Sequence, residues 1–261
     1  MERGKRIVEE WLRWLEAGDT SPGTVVLRRS QLIRLAARVP LLDADEDDLV
    51  AWLATVGWST ETRRSARAAV RGFYRWAHRA GYIDSDPSLW LRPIRPASPR
   101  PRPIPEPALA EALLRADRER TLMLLLGAYA GLRRAEIARV HGTDVEGPTL
   151  VVRGKGRRVR RVPIHVRLEP HLTHLEGWAF PSPRRPGFPV GETYIRDRLG
   201  EVLPEPWTPH SLRHRFATQA YRVGRDLVAV QMLLGHARIE TTRLYVAIED
   251  ETLADTVRAV A

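Results

Sequence analysis

Between Arg95 and Pro107 the chain reads RPASPRPRPIPEP. Proline fixes φ and removes a backbone donor, so a run this dense cannot lie inside a helix or a central strand. It favours a stiff, extended path and reads as a linker. The 261 residues are thereby split into 1–95 and 108–261, joined through 96–107. Each piece is long enough to bury a core of its own.

Composition narrows the partners. The chain carries 42 Lys+Arg against 32 Asp+Glu, a formal net charge of +10, and its pI is near 10.8. Such an excess points to an anionic partner. There is no cysteine, which removes disulfides, thiolate zinc sites and thiol nucleophiles together. The longest apolar run, Leu122 to Ala130, falls far short of the roughly 20 residues that span a bilayer, and the N-terminus MERGKRIVEE lacks a signal-peptide core. A cytoplasmic protein with no membrane partner is expected. Only Lys5 and Lys155 among the basic residues are lysine. Codon bias explains most of that, but lysine can release a proton near neutral pH and arginine cannot.

The first piece reads as all helix. Ile7, Val8, Trp11, Leu12 and Leu15 recur at helical spacing. Thr20-Ser21-Pro22 starts a helix expected to run to about Val39. The acidic cluster Asp43 to Asp48 precedes a third, since acids suit a helix N-terminus. A fourth is expected from Ser59-Thr60 to Gly81. On it Arg63, Arg67, Arg71, Arg75 and Arg79 recur every four residues and are expected to line one face, with no acid between Glu61 and Asp84. A solvated face is one reading. A phosphate backbone is the other, because like charges at this spacing repel and the stripe is about 24 Å long.

The second piece is mixed. Helical patterns at 108–116, 120–130 and 134–140 give way to β-branched runs, Thr149 to Arg153 and Arg160 to Val166, flanking Gly154-Lys155-Gly156. That is a hairpin pattern. A loop follows over Pro181 to Pro189. Helical patterns return at 190–202, 209–222, 227–234 and 240–247, with a last amphipathic stretch at 251–261.

Four segments concentrate reactive residues: AGLRRAEI (130–137), RGKGRRVRRVPI (153–164), TPHSLRHRFAT (208–218) and LGHARIETTRLY (234–245). A helix started by Pro209 places His210 and Arg213 three apart, on one face. Each segment has a plain structural reading. Gly131-Leu-Arg133 can be a helix cap and a surface arginine, Lys155 an idle hairpin tip, His210 and Arg213 the basic end of a recognition helix, and Tyr245 a packed aromatic.

As an ordered set, the segments resemble the tyrosine recombinase (phage integrase) family, whose pattern is Arg … Lys … His-x-x-Arg … His/Trp … Tyr. Here these fall on Arg133, Lys155, His210, Arg213, His236 and Tyr245, with Glu136 as the acidic companion of the first arginine. The resemblance spans the second piece and implies a mixed α+β catalytic domain with a small β-sheet, of the tyrosine recombinase and type IB topoisomerase kind. The first piece looks like the family's all-helical, SAM-like core-binding domain, so the whole is expected to be mainly α with two domains. The chain starts directly at that domain, without the arm-type domain of lambda-like integrases, which suggests a minimal phage integrase or an Xer-like recombinase.

The resemblance also assigns roles. Guanidinium forks of Arg133 and Arg213 would clamp the phosphate oxygens that gain charge, with a further hydrogen bond from His236. Tyr245 would attack, its phenol with a usual pKa near 10 needing a base, and His210 is the candidate. Lys155 would protonate the leaving 5′-hydroxyl. A phosphotyrosine conserves the bond energy, so no cofactor or metal is expected. Double-stranded DNA is the expected partner, met by the Arg63–Arg79 stripe and by Arg100, Arg102, Arg157 and Arg158. A homotetramer working through a Holliday junction is implied, with Leu253, Val257 and Val260 of the last stretch docking on a neighbour or folding back, along with an accessory factor setting direction. The competing readings are a type IB topoisomerase and a non-catalytic DNA-binding regulator.

Overall fold

A computed structural model of the chain describes residues 2–55, 57–96, 101–154 and 158–235. By packing, the chain divides into two compact units, Met1–Pro99 and Arg100–Ala261.

The first unit is built from helices α1 (Glu2–Ala17), α2 (Pro22–Ala36), α3 (Glu46–Leu53) and α4 (Thr60–Arg79). Their starts follow local chemistry. Pro22 occupies the first turn of α2, where its missing N–H costs nothing. Asp45 caps α3: its carboxylate accepts from the Asp48 N–H at 2.9 Å, and Asp48 returns the bond to the Asp45 N–H at 3.3 Å. Ser59 Oγ accepts from the Thr62 N–H at 3.1 Å to open α4. The expected helix to Val39 stops at Ala36, and Val39 is buried in the turn that follows. Ile7, Trp11, Leu12, Leu32, Leu49 and Phe73 form the core, where the Trp11 and Phe73 rings meet edge to face at 5.7 Å.

The second unit holds α5 (Glu106–Arg115), α6 (Arg118–Tyr129), α7 (Arg134–Ile137), strands β1 (Val145–Glu146), β2 (Thr149–Arg153) and β3 (Val159–Pro163), then α8 (Glu169–Leu172), α9 (Glu192–Gly200), α10 (Pro209–Gly224) and α11 (Leu227–Leu234). α6 is buried from Leu122 through Ala128 and forms the centre of the core. α10 crosses it so closely that a Cβ on Gly127 would lie 2.9 Å from Leu212. The strands form one antiparallel sheet in the order β1-β2-β3, with Val152 opposite Arg160 and Leu150 opposite Val162. The Gly154 N–H donates to the Arg158 carbonyl at 2.7 Å at the neck of the β2–β3 hairpin. No helix among the described residues is long and apolar enough to cross a membrane.

Several boundaries differ from the sequence reading. The proline tract ends earlier than 107, because Pro105 caps α5 and Pro107 is admitted in its first turn. Ile104 is buried and its N–H donates to the Ser211 carbonyl at 3.2 Å, so the tail of the tract belongs to the second unit. α7 is one turn, ending at Ile137 rather than 140. β1 and α8 are too short to carry a period and were not foreseen. The patterns at 240–247 and 251–261 lie outside the described residues.

Candidate active site

The site begins where α6 ends. Gly131 takes φ +65°, a left-handed turn, and a Cβ there would lie 2.4 Å from Phe216 Cδ1 on α10. The turn therefore rests on α10 and delivers Arg133 to the head of α7. The Arg133 N–H donates to Glu136 Oε2 at 2.8 Å, and its Nη1 donates to Oε1 at 2.9 Å. The Arg133 side chain stays 42% exposed, while that of Glu136 is 4% exposed.

Three guanidinium groups converge on that carboxylate. Besides Arg133, Arg160 from β3 donates Nη1 to Oε1 at 2.9 Å and Nη2 to Oε2 at 2.8 Å. Arg213 from α10 brings Nη1 within 3.8 Å of Oε2. Burial alone would raise the Glu136 carboxyl, but the bonds and charges of Arg160 and Arg133 overturn it and hold the pKa down to about 2. Glu136 is therefore ionised at neutral pH, and the four groups carry a net positive charge.

Arg133 and Arg213 are not equivalent. Arg213 is 1% exposed, and donates to the Gly131 carbonyl and, at 2.6 Å, to the Leu234 carbonyl. Of the two guanidinium forks expected to clamp the phosphate, Arg133 is at the surface and Arg213 is buried behind it.

His210 reaches solvent one turn before Arg213 on α10. Partial burial of its ring, then the charges of Arg213, Arg133 and Arg134, lower its pKa from the usual 6.5. It is neutral at pH 7 and can accept a proton. Its ring meets that of His214 at 4.3 Å. His214 is lowered to about 4 by burial, then by His210 and Arg213, and its Nδ1 accepts from the Arg102 N–H at 2.8 Å. That bond fixes the His214 tautomer and seats the proline tract on the motif helix.

The structure thus brings Arg133, Glu136, His210 and Arg213 together. Lys155, Arg157, His236, Tyr245 and Arg100 lie outside the described residues. The Arg158 side chain is exposed, as is that of Arg102. The sequence reading missed Arg160 as a member of the cluster. Its signal was strand alternation, since it is in phase with buried Val162. Among the described residues no group of three or more His, Asp or Glu could hold a metal ion.

The arginine stripe of α4 does not lie along one face. Four-residue steps overrun the 3.6-residue turn by about 40° each, so the row winds around the helix. Arg67 is spent structurally, donating Nε to the Leu91 carbonyl at 3.2 Å, whereas Arg75 and Arg79 are exposed.

Comparison with known proteins identifies the family and the fold. The phage integrase family model matches residues 192–252. The chain is 30% identical over 285 residues to tyrosine recombinase XerC of Chromohalobacter salexigens, covering 95% of this chain and 93% of that one. It is 31% identical over 240 residues to tyrosine recombinase XerD of Pseudomonas aeruginosa, covering 80% and 78%. Its fold resembles that of lambda integrase, crystallised as a tetramer bound to a Holliday junction, with a TM-score of 0.73 at 17% identity over 90% of this chain and 77% of that one. With near-complete coverage of both chains in the XerC alignment and a shared fold, this chain belongs to the tyrosine recombinases and is a site-specific recombinase.

Proposed function

We propose that this recombinase integrates and excises a mobile element, such as a phage genome, by cutting double-stranded DNA through a 3′-phosphotyrosyl intermediate. One observation carries the chemistry: three guanidinium groups around a single buried carboxylate leave unneutralised positive charge beside Arg133 and a neutral His210. Arg133 offers its exposed donors to a scissile phosphate, and Arg213 adds its charge from behind. The Tyr245 oxygen attacks phosphorus and its proton passes to His210. The bond from phosphorus to the 5′-oxygen breaks, and Lys155 protonates that oxygen. The products are a phosphotyrosine and a free 5′-hydroxyl, which attacks the partner duplex's phosphotyrosine when strands exchange. Four protomers on two duplexes would do this in pairs, as the lambda integrase tetramer on a Holliday junction suggests. The exposed part of the α4 stripe, with Arg100, Arg102, Arg157 and Arg158, would hold the duplex.

A nicked suicide substrate tests this. The wild type should become covalently attached and Tyr245→Phe should bind without attachment. Attachment by the Phe variant would displace Tyr245 from the nucleophile's role.

A second reading is an Xer-type resolvase of chromosome or plasmid dimers, favoured by the XerC alignment over nearly the whole chain. The two readings separate on substrates. A resolvase converts a plasmid carrying two directly repeated sites into circles, while an integrase joins two unlike attachment sites.

A further inference from the structure

Arg160 lends its charge to the cluster but is assigned no contact with the reacting atoms, yet it is among the most enclosed charges of the second unit. Its side chain is 9% exposed. Both of its terminal nitrogens are committed to Glu136, and its Nε donates to the Leu233 carbonyl at 2.7 Å. Leu233 is in the last turn of α11, where carbonyls have no partner within the helix. Arg213 takes the next carbonyl, that of Leu234. Two positive side chains that face Glu136 therefore also cap the negative end of α11.

The chain then turns at Gly235, with φ +63° and ψ 43°. A Cβ at this position would lie 3.0 Å from Arg160 Cδ, so the turn is seated on the Arg160 stem. His236 is the next residue, and Tyr245 follows nine positions later.

We propose that Arg160 is a positioning residue for strand cleavage: it ties the end of α11 to Glu136 and so sets where the segment carrying His236 and Tyr245 departs from the cluster that holds Arg133. The task needs a planar fork. A guanidinium can hold a carboxylate with two nitrogens and a carbonyl with the third, whereas an ammonium is a point charge on a flexible stem. The inference rests on the assignment of Tyr245 as nucleophile.

The experiment compares wild type, Arg160→Lys and Gly235→Ala on a suicide substrate at saturating DNA. It records the rate of covalent attachment, DNA affinity by gel shift, and the melting temperature. Arg160→Lys should bind DNA within twofold of wild type and melt cooperatively, while attachment slows about 100-fold, the order of loss that a small misplacement of reacting groups causes. Gly235→Ala, which leaves Arg160 present but strains its seat, should slow attachment in the same way.

A substrate with a 5′-phosphorothiolate leaving group, which needs no proton donor, should restore Lys155→Arg but not Arg160→Lys. Rescue of Arg160→Lys would mean that Arg160 acts through Lys155, and would overturn the proposal. So would an unchanged attachment rate, or a rate that falls only as far as DNA affinity and melting temperature fall. If the wild type itself forms no attachment, the nucleophile assignment fails instead, and the two failures are told apart.

Discussion

Glu136 and Arg160 meet through two parallel hydrogen bonds, 2.9 and 2.8 Å long, with both side chains almost wholly out of water. One comes from a single-turn helix, the other from the returning strand of a hairpin 24 residues later. Their pairing locks the hairpin to the turn that presents Arg133. A lone buried carboxylate would be protonated. This one stays charged because its neighbours are cations with matching geometry.

Acid should expose that dependence. The Glu136 pKa is depressed in the folded chain from 4.5 to about 2, so its contribution to stability is full above pH 4.5 and is lost as the pH falls from 4.5 towards 2. Glu136→Gln should remove this component and cost roughly 3 kcal/mol at pH 7, since it strands buried arginines. Thermal melts at pH 7, 5, 4 and 3 would check it. A variant whose stability declines with acid in parallel with the wild type would show that another group is responsible.

Arg133 and Arg213 should behave differently when truncated. Arg213→Ala removes a buried charge that holds two carbonyls, and should lower stability by roughly 3 kcal/mol as well as abolish cleavage. Arg133→Ala loses a half-exposed pair with Glu136, so stability should shift by about 1 kcal/mol or less while cleavage is abolished. Paired unfolding curves and covalent-attachment assays read both. Equal destabilisation by the two would contradict the burial difference.

His210 should keep cleavage running below pH 6.5. Its lowered pKa leaves the ring neutral there, and the rate should drop only as the ring gains its proton. Arg134→Gln removes one of the charges that depress it and should move the acid limb of the attachment rate to higher pH. An unmoved limb would mean that a different group titrates.

Gly131→Ala should cost about 2 to 4 kcal/mol, combining a left-handed φ with a Cβ pressed into Phe216. Adding Phe216→Ala should recover the steric part of that clash and leave the backbone part, which chemical denaturation of the single and double variants resolves.

On α4, Arg75→Gln and Arg79→Gln should each reduce the salt slope of DNA binding by about 1. Arg67→Gln should chiefly lower stability, because its guanidinium serves the Leu91 carbonyl. Gel shifts across a salt series separate the two effects.

Much of this was legible in the sequence, for reasons that can be named. The proline run marked a break because proline is excluded from regular interiors, and the division between units falls inside it. The acidic run ahead of α3 and the Ser59-Thr60 start of α4 are local signals, and local signals survive folding. Arg133, Glu136 and Arg213 could be grouped only through the family pattern, since no spacing in one chain says that residue 133 meets residue 213. Arg160 escaped because a strand arginine reads as a surface residue until the phase of Val162 is considered. The unequal burial of Arg133 and Arg213 was beyond reach, depending on which carbonyls the packed helices leave open. The one-face reading of the α4 stripe failed on arithmetic, as a step of four is not a full number of turns.

The near-absence of lysine acquires a different meaning from these contacts. Arg28 holds the Ser65 carbonyl, Arg67 that of Leu91, Arg160 that of Leu233, and Arg213 those of Gly131 and Leu234. Arginine here works as a hinge pin for the main chain as well as a charge. A genome drifting towards AT-rich codons could exchange most exposed arginines for lysine at little cost. At Arg67, Arg160 and Arg213, which each engage two or more nitrogens, the drift would stall, because a lysine would keep the charge and lose the fork.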